Sequence, residues 1–195
     1  IKAYCNFLKQ IDPAVGTGID EELSKKSDCV ETFYQSFHNR FDPSLITRSV
    51  VENCCKTESV LFKKLYNLLS ATVRTNFYQF DADGRPKQYL SLKFDSHKIN
   101  GLSDPKPMYE IFVHSHRIEG VHLRSQLISR GGIRWSNRLK DYRSEILQLM
   151  KTQIMKNAVI VPSGAKGGFI CKNFEKLKEQ GESTKRLRQE AEECY

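Results

Sequence analysis

Apolar positions along the chain follow two periods, and the change from one to the other divides it. Over residues 1–79 they recur every three or four residues, which predicts helices, with breaks near Pro13 to Gly18 and at Asp42-Pro43, where Asp42 or Ser44 can cap the helix that follows. The clearest helix runs from Glu58 to Tyr78, because Leu61, Phe62, Leu65, Tyr66, Leu68, Leu69, Thr72, Val73 and Phe77 share one broad stripe. Past Phe80 the period drops to two. After the turn DADGRP, the run QYLSLKFD alternates Leu90, Leu92 and Phe94 with Ser91, Lys93 and Asp95, the pattern of a half-buried strand. The polar, proline-containing link INGLSDPKP leads to a second strand, MYEIFVHS, then to GVHLR and the short run QLIS, so three or four strands precede Arg130.

Between Arg130 and Gly168 a helix is predicted to hand over to a strand. Leu139, Tyr142, Ile146, Leu149, Met150 and Met155 have the spacing of an amphipathic helix over Leu139 to Lys156, and AVIV, from Ala158 to Val161, is β-branched and halted by Pro162, as in a buried strand. A basic turn containing glycine brackets this unit on each side: Arg130 stands before Gly131 and Gly132, and Lys166 stands between Gly164 and the pair Gly167-Gly168. Glycine lets the backbone come close to a ligand, and a cation beside backbone N–H donors suits an anionic group. Beyond it FICK reads as one more short strand, and the charged remainder NFEKLKEQGESTKRLRQEAEECY predicts helix divided at Gly181.

Charge singles out the same stretch. The net +8 lies wholly within residues 117–172, where eleven Lys and Arg face three acids, while the rest of the chain balances. Concentration around two glycine turns points to a focused anion site rather than to general solubility or loose nucleic-acid contact. With 39% hydrophobic residues in 195, the chain can build a real core, as one domain or one and a half. No apolar run approaches the roughly 20 residues of a spanning helix, and IKAYCNFLKQ is not a signal peptide, so a cytoplasmic setting without a membrane partner is expected. Six cysteines show no CxxC or metal-ligand spacing, and adjacent Cys54-Cys55 falls in a helical pattern; all are read as reduced thiols. The chain starts at Ile1 without an initiator methionine and stops at Cys194-Tyr195 without a cap signal, the expectation being a piece of something longer.

Several familiar chemistries are disfavoured. His114 and His116 form HxH on a strand, with His122 nearby, but no acid or cysteine stands at a supporting spacing, so no metal site is assigned. SGAKGG departs from the phosphate loop because Gly167 follows the lysine where Ser or Thr holds Mg²⁺, and no GxGxxG follows a strand. Lys166 has two readings. Flanked by Gly and Ala and crowded by Lys156, Arg130 and Arg134, it can lose its proton near neutrality and act as a general base, or it is a surface lysine in a tight turn.

The run GGIRW, a helix, and then KNAVIVPSGAKGG resembles the substrate-domain signature of glutamate dehydrogenases, most closely the large, NAD-specific form. In that form a YEIFV strand, an EGVHLR strand, RGGIRWS, a helix like DYRSEILQLMKTQ and KNAVIVP-x-GAKGGF follow in order; here they run from Tyr109 to Phe169, within a resemblance covering about Tyr89 to Lys172. Residues 1–79 match, by position only, the helical region preceding the catalytic domain. The resemblance implies that Lys166 is the catalytic lysine and that Lys156 of KNAV holds the substrate α-carboxylate. Arg130 stands where the small forms carry a lysine that contacts the side-chain carboxylate; arginine agrees with the large form and can grip a carboxylate through two parallel hydrogen bonds. Ser163 and the Ser125-Gln126 turn depart from the family's usual residues.

The fold class expected is α+β: a helical segment over residues 1–79, then over 80–195 the first part of a glutamate-dehydrogenase substrate-binding domain, built as a small mixed sheet with covering helices. The resemblance implies reversible oxidative deamination of L-glutamate to 2-oxoglutarate and ammonia. NAD and the catalytic aspartate would be supplied by segments beyond Tyr195, in a homo-oligomeric parent enzyme. Lys166 would activate water, Lys156 with Arg130 or Arg134 would hold the two carboxylates, and Gly131, Gly132, Gly164, Gly167 and Gly168 would shape the binding surface. These residues alone are expected to be inactive. The other reading is a basic anion- or RNA-binding module whose patch contacts phosphates.

Overall fold

The computed structural model describes residues 1–16, 18–45, 59–157 and 164–194. The chain opens with helices α1 (Lys2–Ile11), α2 (Ile19–Lys25) and α3 (Ser27–Phe41), with a 3-10 turn at Pro13–Gly16 between the first two. Gly18, at φ 84°, precedes α2 in the left-handed region that side chains rarely adopt, which fixes the break there. After α3, the Asp42 carboxylate accepts the Ser44 N–H at 2.8 Å and turns the chain at Pro43. The helix expected next, the Cys54-Cys55 pair, the AVIV strand and Ser163 lie outside the described residues.

Helix α4 (Val60–Ala71) begins at Ser59, whose hydroxyl accepts the Phe62 N–H at 3.3 Å. It ends at Ala71, short of the expected Tyr78, and Thr72–Thr75 form strand β1 instead. The apolar spacing continues through Thr72, but the β-branched Thr72, Val73 and Thr75 favour extended backbone. A tertiary bond reinforces the change: the Thr72 hydroxyl, donating to the Leu68 carbonyl at 2.8 Å, accepts from Tyr4 of α1 at 2.8 Å. Val73 and Phe77, assigned to the buried stripe, are 43% and 45% exposed.

β1 pairs antiparallel with β2 (Leu90–Asp95), β2 with β3 (Tyr109–His114), and β3 with β4 (Ile118–Arg124). β4 pairs antiparallel with β6 (Ala165–Cys171), whose other edge takes β5 (Ile133–Trp135) in parallel, giving a six-stranded mixed sheet in the order β1-β2-β3-β4-β6-β5. QLIS is not a strand. Arg124 folds it into a loop by donating to Ser129 Oγ at 3.3 Å and to the Leu127 carbonyl at 2.7 Å, and Leu127 and Ile128 face solvent.

One sheet face, bearing Leu92, Phe94, Phe112, Val121 and Leu123, joins α1, α4 and α5 (Tyr142–Asn157) in the main core. Phe7 of α1 stacks on Phe94 with ring centroids 4.5 Å apart, so the early helices and the sheet share that core. In α5 Tyr142, Ile146, Leu147 and Met150 are buried, whereas Met155, expected in the stripe, is 81% exposed. Nine residues past Ile146 at about 100° each place it on the opposite side of the helix. The other sheet face carries Phe169 and Cys171 against α6 (Phe174–Glu179) and α7 (Thr184–Cys194), which Gly181 separates at φ 71°. The architecture is the expected α+β. Cys5 and Cys29 are free thiols.

Candidate functional site

The two glycine segments meet side by side. Arg130 bridges Gly164 in parallel, and the register continues as Ile133 opposite Gly167 and Arg134 opposite Gly168. Ala165 N–H donates to the Arg130 carbonyl at 2.9 Å and Gly167 N–H to the Gly132 carbonyl at 3.0 Å. The expected turn around Lys166 is therefore a strand: β6 begins at Ala165 and carries Lys166, Gly167 and Gly168 between two neighbours. Backbone N–H groups that would face an anion in a turn are here shared with the ladder.

The glycines serve this close approach. A Cβ on Gly131 would lie 1.3 Å from the Ala165 carbonyl oxygen, and one on Gly168 would lie 2.2 Å from Ile146 Cδ1 of α5. Gly167 has Ile133 at 2.9 Å from the same position, while Gly132 has open space around it. Strand against strand and helix against strand thus account for glycine at Gly131, Gly167 and Gly168, but not at Gly132.

Helix α5 ties the two segments together through a residue that the sequence reading did not single out. Gln153 donates its amide to the Arg130 carbonyl at 3.2 Å and rests against Gly164. Its Oε1 is buried without a partner among the described residues. Lys156 follows Gln153 by three residues, about one helical turn, near the end of α5. The spacing QxxK ahead of the glycine strand was the signal available in the sequence.

Arg130 is exposed and Lys166 half-buried, and neither side chain makes a hydrogen bond or ion pair with a described residue. Lys166 lies opposite Leu123, on the sheet face that α5 covers. Neighbouring strands are about 4.8 Å apart, and in the parallel register Arg130, opposite Gly164, stands two residues from Lys166. Arg134 has an acidic partner: its Nε meets Glu145 of α5 at 3.2 Å, and the same carboxylate accepts the Ser136 hydroxyl at 2.6 Å. That guanidinium anchors β5 to the helix.

The histidines do not assemble. His114 faces Glu119, 3.3 Å away; His116 lies past the end of β3; and His122, on the other sheet face, has its pKa lowered by burial and by Arg124. Among the described residues no three His, Cys, Asp or Glu side chains come together as a metal site, and no helix is long and apolar enough to cross a membrane.

Residues 48–195 match a family model described as the catalytic domain of bacterial NAD-glutamate dehydrogenase. The chain is 39% identical to the NAD-specific glutamate dehydrogenase of Halomonas elongata and 38% identical to that of Pseudomonas aeruginosa, in each case over 100% of this chain and 13% of the relative. It is 50% identical to the NAD-specific glutamate dehydrogenase of Mycobacterium tuberculosis over 57% of this chain and 7% of the relative. The chain therefore spans a small part of the curated relatives it matches.

Proposed function

Since the chain belongs to the family of bacterial NAD-glutamate dehydrogenase catalytic domains, we propose that residues 80–195 begin the substrate-binding half of such an enzyme, with residues 1–79 as the helical region preceding it. The reaction is reversible oxidative deamination of L-glutamate to 2-oxoglutarate and ammonia, in a cytoplasmic homo-oligomer. NAD⁺, held by segments outside this chain, supplies the acceptor for the α-hydride. The chain's own contribution is to hold the dicarboxylate and to move a proton.

The observation that supports this reading is the pairing of the Arg130 segment beside the strand that carries Lys166, with α5, the helix of Lys156, joined to it through Gln153. Two cations suit two carboxylates: Lys156 takes the α-carboxylate, and Arg130 takes the side-chain carboxylate with its planar fork. Arg134, engaged by Glu145, is the weaker candidate for that second role. Lys166, without an acidic partner among the described residues, accepts a proton from the water that attacks the iminium carbon.

Calorimetric titration with 2-oxoglutarate should show saturable binding to the chain that is lost in Lys156→Ala. Binding unchanged by that substitution, or nucleic-acid affinity that falls steeply with salt in its place, would overturn the assignment. In a polypeptide that carries these residues together with the remaining length of the relatives, Lys166→Ala should abolish NADH formation. The 195-residue chain by itself should form none.

A further inference from the structure

At the far end of β6 from Lys166, a groove of about 1440 Å³ opens between α1, the turn after β1 and the ends of β3 and β6. Its floor is an ionic cluster that is already satisfied. Glu119, 6% exposed, accepts from Asn6 at 2.6 Å and pairs with Lys172 at 2.8 Å, and the Lys172 ammonium also donates to the Ser115 carbonyl at 2.6 Å. Glu119 is the only carboxylate lining the groove among the described residues, and Lys172 neutralises it.

Around that floor stand Lys2 and Lys9 of α1, Lys87, and Lys140 just before α5, none of which makes an ion pair with a described residue. Four uncompensated charges facing one hollow with low-dielectric walls concentrate positive potential there. The wall formed by the turn is aromatic: Phe77, Phe80 and Tyr89 are 45%, 58% and 47% exposed. The turn is held in place, because Asn76 donates to the Tyr89 carbonyl at 3.0 Å and accepts the Ser91 N–H at 2.6 Å, while Asp81 accepts the Arg85 N–H at 2.8 Å. Exposed rings beside unpaired ammonium groups suit a ligand with a planar ring and several negative charges. Bare polyanions would use only the lysines.

We propose that this groove is a binding site for a nucleoside di- or triphosphate, with the phosphates among Lys2, Lys9 and Lys140 and the base against Phe77, Phe80 and Tyr89. The site stands independently of the Arg130 cluster, since Lys166 and Ile170 of the groove are four residues apart on β6, about 13 Å at the rise of a strand.

Calorimetric titration of the purified chain with ATP, tripolyphosphate and adenosine tests it. ATP should bind one per chain, and Lys9→Gln/Lys140→Gln should raise its Kd about tenfold or more, as should the independent pair Lys2→Gln/Lys87→Gln. Phe80→Ala should raise the Kd for ATP about fivefold or more, from the loss of a base–aromatic stack, and leave tripolyphosphate unchanged. Arg130→Gln should leave ATP binding intact. The proposal fails if ATP shows no saturable binding at millimolar concentration, if ATP and tripolyphosphate bind alike with Phe80→Ala silent, or if Arg130→Gln removes ATP binding while the lysine pairs do not. Far-UV circular dichroism on each variant reports that the fold is retained.

Discussion

Replacing Gly168 with alanine should lever α5 away from the sheet. The new methyl would stand 2.2 Å from Ile146 Cδ1 and 2.4 Å from Cγ1, whereas carbon atoms settle at about 3.5–4.0 Å. Some group must move by roughly 1.5 Å to restore that contact. Ile146 is fully buried in the main core, so swinging its side chain displaces others, and the remaining route is a shift of the helix. Overpacking of this kind costs about 1–3 kcal/mol, which for a chain of this length lowers Tm by about 2–4 °C per kcal/mol. Ile146→Ala alone should cost about 2–5 kcal/mol through the cavity it leaves. In that background Gly168→Ala should cost less than about 0.5 kcal/mol, because its methyl enters the vacated space. Urea melts of the four proteins followed by circular dichroism, in a fixed concentration of trimethylamine N-oxide to keep the weaker variants folded, give the coupling energy. Equal costs of Gly168→Ala in both backgrounds would refute the packing argument. So would an unchanged melt accompanied by loss of 2-oxoglutarate binding, which would return Gly168 to the ligand.

The buried pair in the main core gives a second test. Arg143 grips Glu110 through Nε at 2.8 Å and a terminal nitrogen at 2.5 Å, so Arg143→Met should cost about 3–5 kcal/mol by stranding the carboxylate. Glu110→Leu/Arg143→Met should recover most of that loss in the same urea midpoint; a double variant as weak as the single would contradict it. The third concerns pH. Burial works to raise the pKa of Glu119, yet hydrogen bonds from His114, Lys172 and Asn6 outweigh it and hold the carboxyl below its ordinary 4.5. A carboxyl lowered on folding contributes stability that is present above its unfolded value and is lost as pH falls through its folded value. The urea-midpoint gap between wild type and Glu119→Gln should therefore be constant above about pH 6 and close on acidification below 4.5; a gap that widened there would refute the sign. Finally, Lys166→Ala should leave the unfolding free energy from urea melts within about 0.5 kcal/mol of wild type, as for a side chain without a partner among the described residues, so that its effect on turnover reads as chemistry.

Where a segment's own period matched its burial, the sequence was sufficient. Leu92 and Phe94 alternate inward on β2, and Tyr142, Ile146 and Met150 follow one side of α5. What was not legible depends on partners distant in the chain. Ile133–Trp135 is three residues long and exposed throughout, too short for its alternation to mark a strand, and it is one because β6 lies beside it. The glycines beside Arg130 and Lys166 suggested a cradle for an anion, since a sequence cannot tell a backbone close to a ligand from one close to another strand. Thr72 kept the helical spacing and lost the helix to a bond from Tyr4, 68 residues earlier. Glu110 was the more readable omission: it stands between Met108 and Phe112 at an inward position of an alternating run, so an ion partner was implied. For the candidate site, Arg130 and Lys166 came from the basic glycine segments and Lys156 from the resemblance, while Gln153 and the Glu145 partner of Arg134 needed the contacts of α5.

Helix α1 has a consequence in time as well as in space. Its side chains find their partners very late in the chain: Asn6 meets Glu119, Gln10 donates to the Leu139 carbonyl, and Gln10 accepts the Arg143 N–H from 133 residues downstream. At a synthesis rate of roughly 5–20 residues per second, about 7–27 s separate the making of Gln10 from that of Arg143. Throughout that interval Tyr4, Phe7 and Leu8, all buried in the finished fold, emerge from the ribosome with part of their core not yet made. During that interval this short amphipathic helix offers a holding chaperone an apolar face to cover.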